Sequence, residues 1–312
     1  MQIRRHCTRA TLTVAALLLA TTLTSHTAAG QQSASGTHDW SAVDSAFGRK
    51  GAAQPGGVMK YNFPRSDLHV TANGVQVKPS LALGSWVALE DIGGGRAMAM
   101  GDLVLTEEEA GPVMRALQHG GVQQTALHNH ILHESPRVMY MHIAAQGDPV
   151  KIAQAIRSAL EQSKTPLSAP APPAPATPLD LDTAGVARAL GVTGKVSGGV
   201  YQVSVPRQET IRENGHEVPP SMGVATGINF QPTGGGKAAI TGDFVMRASE
   251  VNGVIRALQQ SGIEVTALHS HMMDEEPRLF FMHFWANDDA VKLAQGLRSA
   301  LDQMAVKRTA AK

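Results

Sequence analysis

The chain has 312 residues, of which 43% are hydrophobic and 17% charged. This is enough for two domains of ordinary size, and the composition is typical of globular proteins. The formal net charge is +1 and no run of Lys or Arg follows the N-terminal region, which argues against a nucleic-acid partner. Aromatic residues make up only 4%, so aliphatic side chains and Met must form the cores.

Residues 1–29 have the features of an export signal. Three arginines precede an apolar stretch, Thr11–Thr24, and small residues follow it, as at a signal-peptidase site. The stretch is shorter than the roughly 20 residues that span a bilayer, although a short membrane anchor is the alternative. The only cysteine, Cys7, lies before the apolar stretch. The sequence therefore predicts a periplasmic or secreted protein that is not lipid-anchored, exported by either the Sec or the twin-arginine route.

The rest of the chain contains one pattern twice, at 39–162 and 181–304, joined by a linker at 163–180 that holds six prolines. Each copy predicts a short helix, several strands, a helix, two strands and a closing helix. We therefore predict an α+β fold, a tandem duplication of one domain with an antiparallel sheet and packed helices. The stiff Pro/Ala linker either separates the copies or routes the chain around two packed domains.

Local signals place the strands of the first copy. Val58–Phe63 predicts a strand, and Asn73-Gly74 predicts a tight hairpin. Trp86–Glu90 and Arg96–Met100 flank three glycines, which predicts a second hairpin. The Gly101-Asp102 pair is expected to end its strand.

Helix signals follow the second hairpin. Thr106–Glu109 is typical of a capping box and begins a helix that ends near Gly120. Asp148–Leu160 has helical apolar spacing. In the second copy, helices are predicted at Leu181–Leu190, Val251–Gln260 and Asp289–Leu301, and a strand is predicted at Val200–Val205.

The segment between the two predicted helices carries the chemistry. Thr125–His142 reads TALHNHILHESPRVMYMH and returns 141 positions later (266 − 125) as Thr266–His283, TALHSHMMDEEPRLFFMH. Seven of the thirteen histidines lie in these two windows. Three His, one Glu and one Arg keep the same spacing in both: His128, His130, Glu134, Arg137 and His142, then His269, His271, Glu275, Arg278 and His283.

Strand geometry can bring these histidines together. Alternate residues of a strand share a face, so His128 and His130 point the same way. A turn after them, with His142 returning opposite His130, would place all three on one face with Glu134 at its end. Three imidazoles and a carboxylate suit a borderline divalent metal. We predict zinc, ahead of copper or iron, because the nearby methionines are more typical of core filling than of Cu(I) binding.

Several roles stay open at this point. Glu134 and Glu275 are either ligands or the catalytic bases of a metal-dependent hydrolase. Arg137 and Arg278 either bind a carboxylate or phosphate ligand or pair internally with nearby acids. Asp102 and Asp243 either orient a ligating imidazole or cap turns. The histidines themselves could form a hydrogen-bonded structural cluster, but neighbouring residues differ between the copies whereas the potential ligands do not.

This motif and the duplicated layout over most of 39–304 resemble the LppY/LpqO family of exported bacterial proteins and lipoproteins, whose function is unknown. The resemblance implies export and a repeated domain, and it supplies no activity. The chain departs from the lipoprotein members because no cysteine follows the predicted signal.

The sequence as a whole predicts an exported two-domain protein with duplicated divalent-metal sites, and a metal-dependent hydrolase if it is an enzyme. The alternative is a non-enzymatic periplasmic module that binds a small anionic ligand or an envelope partner. No transmembrane segment is expected after signal cleavage.

Overall fold

The computed structural model describes residues 39–168 and 178–307. The predicted signal peptide at 1–29 and the middle of the predicted linker lie outside the described residues. The described residues of both copies belong to one compact unit. They are called the first and second halves below.

The described elements of the first half follow the predicted order. They are α1 (Ser41–Phe47), β1 (Ala52–Gln54), β2 (Val58–Pro64), β3 (Thr71–Ala72), β4 (Val75–Gln76), β5 (Gly84–Gly93), β6 (Arg96–Thr106), α2 (Glu107–His119), β7 (Gln123–His128), β8 (Glu134–Ser135), β9 (Val138–Gly147) and α3 (Pro149–Leu160).

The second half repeats this order with one short 3-10 turn added. Its elements are α4 (Thr183–Leu190), β10 (Lys195–Ser197), β11 (Val200–Pro206), β12 (Arg212–Glu213), β13 (His216–Glu217), the 3-10 turn (Pro220–Met222), β14 (Ala225–Gly234), β15 (Lys237–Met246), α5 (Val251–Gln260), β16 (Glu264–His269), β17 (Glu275–Glu276), β18 (Phe280–Asp289) and α6 (Ala290–Leu301). Across the described part of the chain, no helix is both long enough and apolar enough to cross a bilayer.

The local signals produce the turns and caps that they predict. Asn73 and Gly74 have φ values of 47° and 81°, the left-handed conformation that a two-residue hairpin between β3 and β4 requires. At the start of α2, the side chains of Thr106 and Glu109 form a reciprocal capping box. The two capped amides explain why the helix begins at this point.

Each half contains one six-stranded antiparallel sheet, which confirms the predicted α+β duplication. The strand orders are β1-β2-β5-β6-β9-β7 and β10-β11-β14-β15-β18-β16. Two smaller sheets, β4-β3-β8 and β13-β12-β17, extend from the loops.

The two faces of each large sheet have different partners, because side chains alternate along a strand. In β6, Leu103 and Leu105 pack with the helices of the same half. On the opposite face, Met100 shares a cluster with Phe281, and Val104 shares one with Trp285, both of the second half. The helices therefore cover the outer faces, and the two sheets meet through their inner faces.

The Gly-Asp pairs correct one expectation. Gly101-Asp102 lies in the middle of β6 and does not end it, and its repeat lies in the middle of β15. A Cβ at Gly101 would come within 2.7 Å of the Trp86 carbonyl oxygen, and one at Gly242 within 2.0 Å of the Gly227 carbonyl oxygen. Glycine is needed here for close strand packing, and not for a turn.

A buried arginine links the loop after β2 to the start of α2. Arg65 is fully buried and donates to Glu109 at 2.7 and 3.1 Å, to Asp67 at 2.8 and 2.9 Å and to the Val104 carbonyl at 2.7 Å. The second half repeats the network with Arg207, Glu250, Glu209 and Val245. Such a buried charge is tolerated only because every donor has a partner.

We expect Glu109→Gln to lower the free energy of unfolding by about 3 kcal/mol, because it removes one of the two carboxylates that neutralise buried Arg65. Burial alone would raise the pKa of Glu109, but hydrogen bonds from Arg65 and two backbone amides hold this pKa below its usual value. The stabilisation is therefore present above the unfolded-state pKa and is lost as the pH falls through the lower folded-state pKa. Denaturant unfolding at pH 7 and at a series of lower pH values measures both effects.

The matched control is Glu108→Gln, since Glu108 is the exposed neighbour in the same helical turn. Its effect should stay within about 0.5 kcal/mol. Equal destabilisation by both substitutions would contradict the role given to the buried network.

Candidate metal centre

The six repeated histidines form one cluster where the inner faces of the two halves meet. His128 ends β7, His130 lies in the loop after it, and His142 lies in β9. Each ring lies against a ring of the other half, with centroid distances of 3.6 Å for His128–His269, 3.8 Å for His130–His283 and 3.7 Å for His142–His271. The two predicted histidine sites are therefore contiguous.

The strand register differs from the expected one. His142 lies opposite Ala126, and His128 lies opposite Tyr140, whereas His142 was expected opposite His130. The chain leaves the large sheet after His128, and β8 pairs with β3 of the smaller sheet instead. Because the shift is an even number of residues, the histidines still share one face.

Hydrogen bonds between the halves fix the loops that carry the second histidine of each set. Thr125 Oγ1 donates to the His271 carbonyl at 2.5 Å, and Thr266 Oγ1 donates to the His130 carbonyl at 2.5 Å. Asn129 Nδ2 also donates to the Thr266 carbonyl at 3.1 Å. Each half thus positions a histidine of the other.

Backbone contacts set the orientation of four imidazoles. Nδ1 of His283 lies 2.7 Å from the Gly242 carbonyl, and Nδ1 of His128 lies 2.9 Å from the Asn129 carbonyl. His142 and His271 bond to the backbone of Gly101 and Gly223, respectively. A ring that donates from Nδ1 to a carbonyl carries its lone pair on Nε2, which is the tautomer that binds a metal.

All six Nε2 atoms are buried and have no hydrogen-bond partner among the described residues. The potential ligand atoms of His128, His130 and His142 lie within 4.8 Å of one another. A second group meets the same limit: Asp243, His269, His271 and His283. Nitrogen donors with one carboxylate oxygen fit zinc and other borderline divalent metals, so the residues fit such an ion.

The histidines are held in the neutral form that binds metals. Burial is the largest cause that lowers the pKa of every one of the six, and neighbouring imidazoles lower it further in most of them. For His128 the pKa falls to about 4.

Asp102 and Asp243 lie beside the histidines in the middle of their strands. Asp243 Oδ2 is 3.0 Å from Nε2 of His271, and Asp102 Oδ2 is 3.5 Å from Nε2 of His130. Asp243 belongs to the ligand group itself, whereas the sequence suggested only a supporting role. Burial raises the pKa of Asp102 to about 8, with Asp243 adding to the effect, and burial raises the pKa of Asp243 to about 6.

The repeated glutamates begin the short strands β8 and β17 and lie outside both ligand groups. Glu134 Oε1 accepts from the Val138 amide at 3.0 Å, and Glu275 Oε1 accepts from the Leu279 amide at 2.9 Å. Burial raises the pKa of Glu134 to about 7. The geometry gives both carboxylates a role in shaping the turn, and the choice between ligand and base stays a prediction.

The repeated arginines have different surroundings in the two halves. Arg137 has a 69% exposed side chain whose Nη1 lies 3.8 Å from Oε1 of Glu107. Arg278 donates to Glu275 Oε2 at 3.1 Å and to the carbonyl of Met273 at 3.0 Å. Arg278 thus makes the internal pair that was one of its two predicted roles.

A cavity of about 810 Å³ lies between the halves and reaches the cluster. Four histidines and both aspartates line it: His130, His142, His271, His283, Asp102 and Asp243. The remaining polar and aromatic lining includes Lys60, Trp86, Lys195 and Asn229. The repeat pattern of the sequence does not point to these four residues, because none of them has an identical residue at the matching position of the other copy.

A comparison with protein families matches 41–162 and 184–303 to a family described as Domain of Unknown Function (DUF1259). The chain belongs to this family. Each match to DUF1259 contains three of the six clustered histidines and one of the two aspartates. The family description assigns no activity.

Comparisons beyond DUF1259 add no function. No curated protein matches the chain significantly. Two solved structures are similar. One is the trimeric bacterial microcompartment shell protein PduB, which is 14% identical; the match covers 83% of this chain and 95% of that chain, with a TM-score of 0.21. The other is EtuB from Clostridium kluyveri, which is 9% identical; the match covers 81% of this chain and 91% of that chain, with a TM-score of 0.19. These TM-scores are too low to support any conclusion.

We expect Tyr140→Phe to leave the free energy of unfolding within about 1 kcal/mol of wild type, or to raise it. Tyr140 stacks on His130 at 3.3 Å, but its buried hydroxyl has no hydrogen-bond partner among the described residues. Phe281 occupies the equivalent position and stacks on His271 at 3.5 Å. Denaturant unfolding measures the change.

The control for this substitution is Tyr61→Phe, because the Tyr61 hydroxyl donates to Asp44 Oδ1 at 2.7 Å. It should cost about 1 kcal/mol or more. A larger loss for Tyr140→Phe than for Tyr61→Phe would contradict the assignment of an unpartnered hydroxyl.

Proposed function

We propose that this protein binds divalent metal, zinc in particular, at the six-histidine cluster between its halves. The observation that carries the proposal is the set of six buried Nε2 atoms that make no hydrogen bond among the described residues, two of which, in His271 and His130, lie 3.0 and 3.5 Å from the carboxylates of Asp243 and Asp102. A purely structural cluster would be expected to pair its ring nitrogens with each other or with nearby carbonyls, because an unpaired buried polar group costs about 1–3 kcal/mol. Here the backbone takes Nδ1 of His128 and His283, and the Nε2 atoms are left for an ion.

The two ligand groups support binding of up to two ions. One offers His128, His130 and His142, and the other offers three histidines with Asp243. Three nitrogen ligands leave one position of a tetrahedral zinc ion free for water or substrate, as in catalytic sites. The cavity above the cluster supplies the space for such a molecule.

Metal-dependent hydrolysis is the activity that this arrangement supports best. When bound, zinc would lower the pKa of a coordinated water to about 7 and supply a nucleophile near neutral pH. Asp102 lines the cavity, and its buried Oδ1 makes no hydrogen bond to any residue that the structure describes. In its ionised form, which the raised pKa of about 8 places above neutral pH unless a bound cation lowers it, Asp102 is better placed to accept a proton than Glu134, which lies outside the cavity lining and bonds to the Val138 amide.

Export of the mature protein, without a lipid anchor, and membership of the LppY/LpqO group are part of the proposal. They are supported by the charged and apolar pattern of 1–29 and by the repeated histidine motif. N-terminal sequencing of the protein from its native envelope or medium should find the chain beginning near Gly30. An uncleaved chain in the cytoplasm would contradict export.

The competing function is a metal-free module that binds a small anion or an envelope partner through Arg137 and Arg278. Neither arginine lines the cavity, and Arg278 is already bound to Glu275. Calorimetry with phosphate on chelator-treated protein separates the two functions, because binding that survives chelation favours the module.

Protein purified without added metal should contain zinc, and His128→Ala plus His269→Ala should lose most of it. These two rings meet at 3.6 Å across the interface, and each group of ligands includes one of them. Elemental analysis of both proteins after gel filtration measures the metal per chain.

The matched control is His69→Ala plus His119→Ala, which removes two exposed histidines of the first half and should leave the zinc content unchanged. Equal, negligible zinc in the wild type and in both variants would contradict metal binding.

The zinc-loaded protein should hydrolyse at least one of two test substrates, 4-nitrophenyl phosphate and 4-nitrophenyl acetate, faster than free zinc does. Asp102→Asn should keep its zinc but lose at least tenfold in rate, the size typical of a lost proton-transfer group. Glu134→Gln should have a smaller effect. No turnover by the zinc-loaded wild type would contradict the hydrolase and leave metal binding intact.

A further inference from the structure

The cavity is asymmetric although the histidine cluster beneath it has an approximate two-fold relation. Strand pairing places four residues of the first half in one row across the sheet: Asn62, Trp86, Asp102 and His142. The equivalent row of the second half is Ser204, Gly227, Asp243 and His283. The two rows end in the same Asp and His residues. They differ mainly at the second position, which is Trp86 in the first half and Gly227 in the second.

This difference creates the space. A Cβ at Gly227 would meet nothing within 4 Å, so the cavity has no wall of its own at this point. On the other side, the Trp86 ring packs so closely that a Cβ at Gly223 would come within 2.8 Å of it. One half therefore contributes a filled aromatic wall, and the other contributes room for a ligand.

Lys60 brings a positive charge to the same cavity. Its Nζ lies 4.0 Å from the centroid of the Trp86 ring, a cation–π contact that orients the ammonium group. Its counterpart in the second half, Gln202, carries no charge and donates from Nε2 to the Ser80 carbonyl at 3.0 Å. Lys60 makes no ion pair within the described ranges, although it lines the cavity together with Lys195.

The charge on Lys60 persists at neutral pH. Burial lowers the pKa of Lys60 to about 8, with Asp102 opposing this change and Lys195 adding to it. A largely buried ammonium with three donors, which makes no ion pair to a carboxylate of the described residues, is an attractive position for an anion.

We propose that the cavity binds one small organic anion, a carboxylate or a phosphate monoester, whose charged group is held by the Lys60 ammonium and whose body fills the space beside Gly227. The volume is in the range of small-molecule sites. The proposal rests on the proposed function, because bound zinc would outweigh the negative charge of Asp243 and leave the base of the cavity positive. It identifies the substrate class as anionic and assigns its recognition to residues outside the repeated motif.

The test is calorimetry of the zinc-loaded full chain, with excess zinc removed, against inorganic phosphate and against acetate. The two titrations distinguish a phosphate site from a carboxylate site. Lys60→Met should weaken binding of the preferred anion at least tenfold, the effect expected for losing a charge-assisted hydrogen bond. Gly227→Trp should abolish binding by filling the space. Both variants should keep wild-type zinc.

Arg137→Met is the matched control, since it removes an exposed positive charge near the motif but outside the cavity, and it should bind both anions like wild type. Unchanged anion binding by Lys60→Met, or no binding of either anion by the zinc-loaded wild type, overturns the inference and leaves metal binding standing. A wild type without zinc by elemental analysis overturns the proposed function and this inference together. If Gly227→Trp does not fold, the comparison of Lys60→Met with Arg137→Met still decides the question.

Discussion

The burial of six imidazoles between two sheets is the constraint on which the rest of the structure depends. Each Nε2 atom is hidden from water and makes no hydrogen bond among the described residues, although those of His271 and His130 lie near the carboxylates of Asp243 and Asp102. At about 1–3 kcal/mol for each unpaired group, the other four would cost a large part of the net stability of a typical domain, about 5–15 kcal/mol. An ion bound to these nitrogens removes this penalty, so the metal would contribute to stability as well as to chemistry.

The duplication is necessary for this site because each half completes the other. Thr125 and Thr266 reach across to the backbone of His271 and His130, and each of the six histidine rings lies against a histidine ring of the opposite half. A single half would expose its inner face and half of the cluster. The residues that surround the cavity above the cluster differ between the two copies. Gly227 occupies the position that corresponds to Trp86 of the first half, and this difference leaves space for one cavity above the paired histidines.

Much of the fold followed from local patterns in the sequence. The Asn73-Gly74 hairpin, the capping box at Thr106 and the closing helices depend on neighbouring residues, and the structure confirms them. Alternation along β7 correctly placed the histidines on one face, but the register was wrong because the chain leaves the sheet after His128. Gly101-Asp102 was misplaced as a turn because a close approach between strands leaves no local signal.

The remaining features depend on contacts between distant parts of the chain. The sequence could not show whether the two histidine sets lie apart or together, since this depends on how the sheets pack. The repeated motif gives no signal for Lys60 and Trp86, because the cavity arises from a difference between the copies. The most direct test of the account is a crystal structure of the zinc-containing protein with anomalous scattering at the zinc edge. We expect zinc between the halves with Nε2 atoms about 2.0–2.1 Å away, and ordered water in place of zinc at all six nitrogens would contradict metal binding.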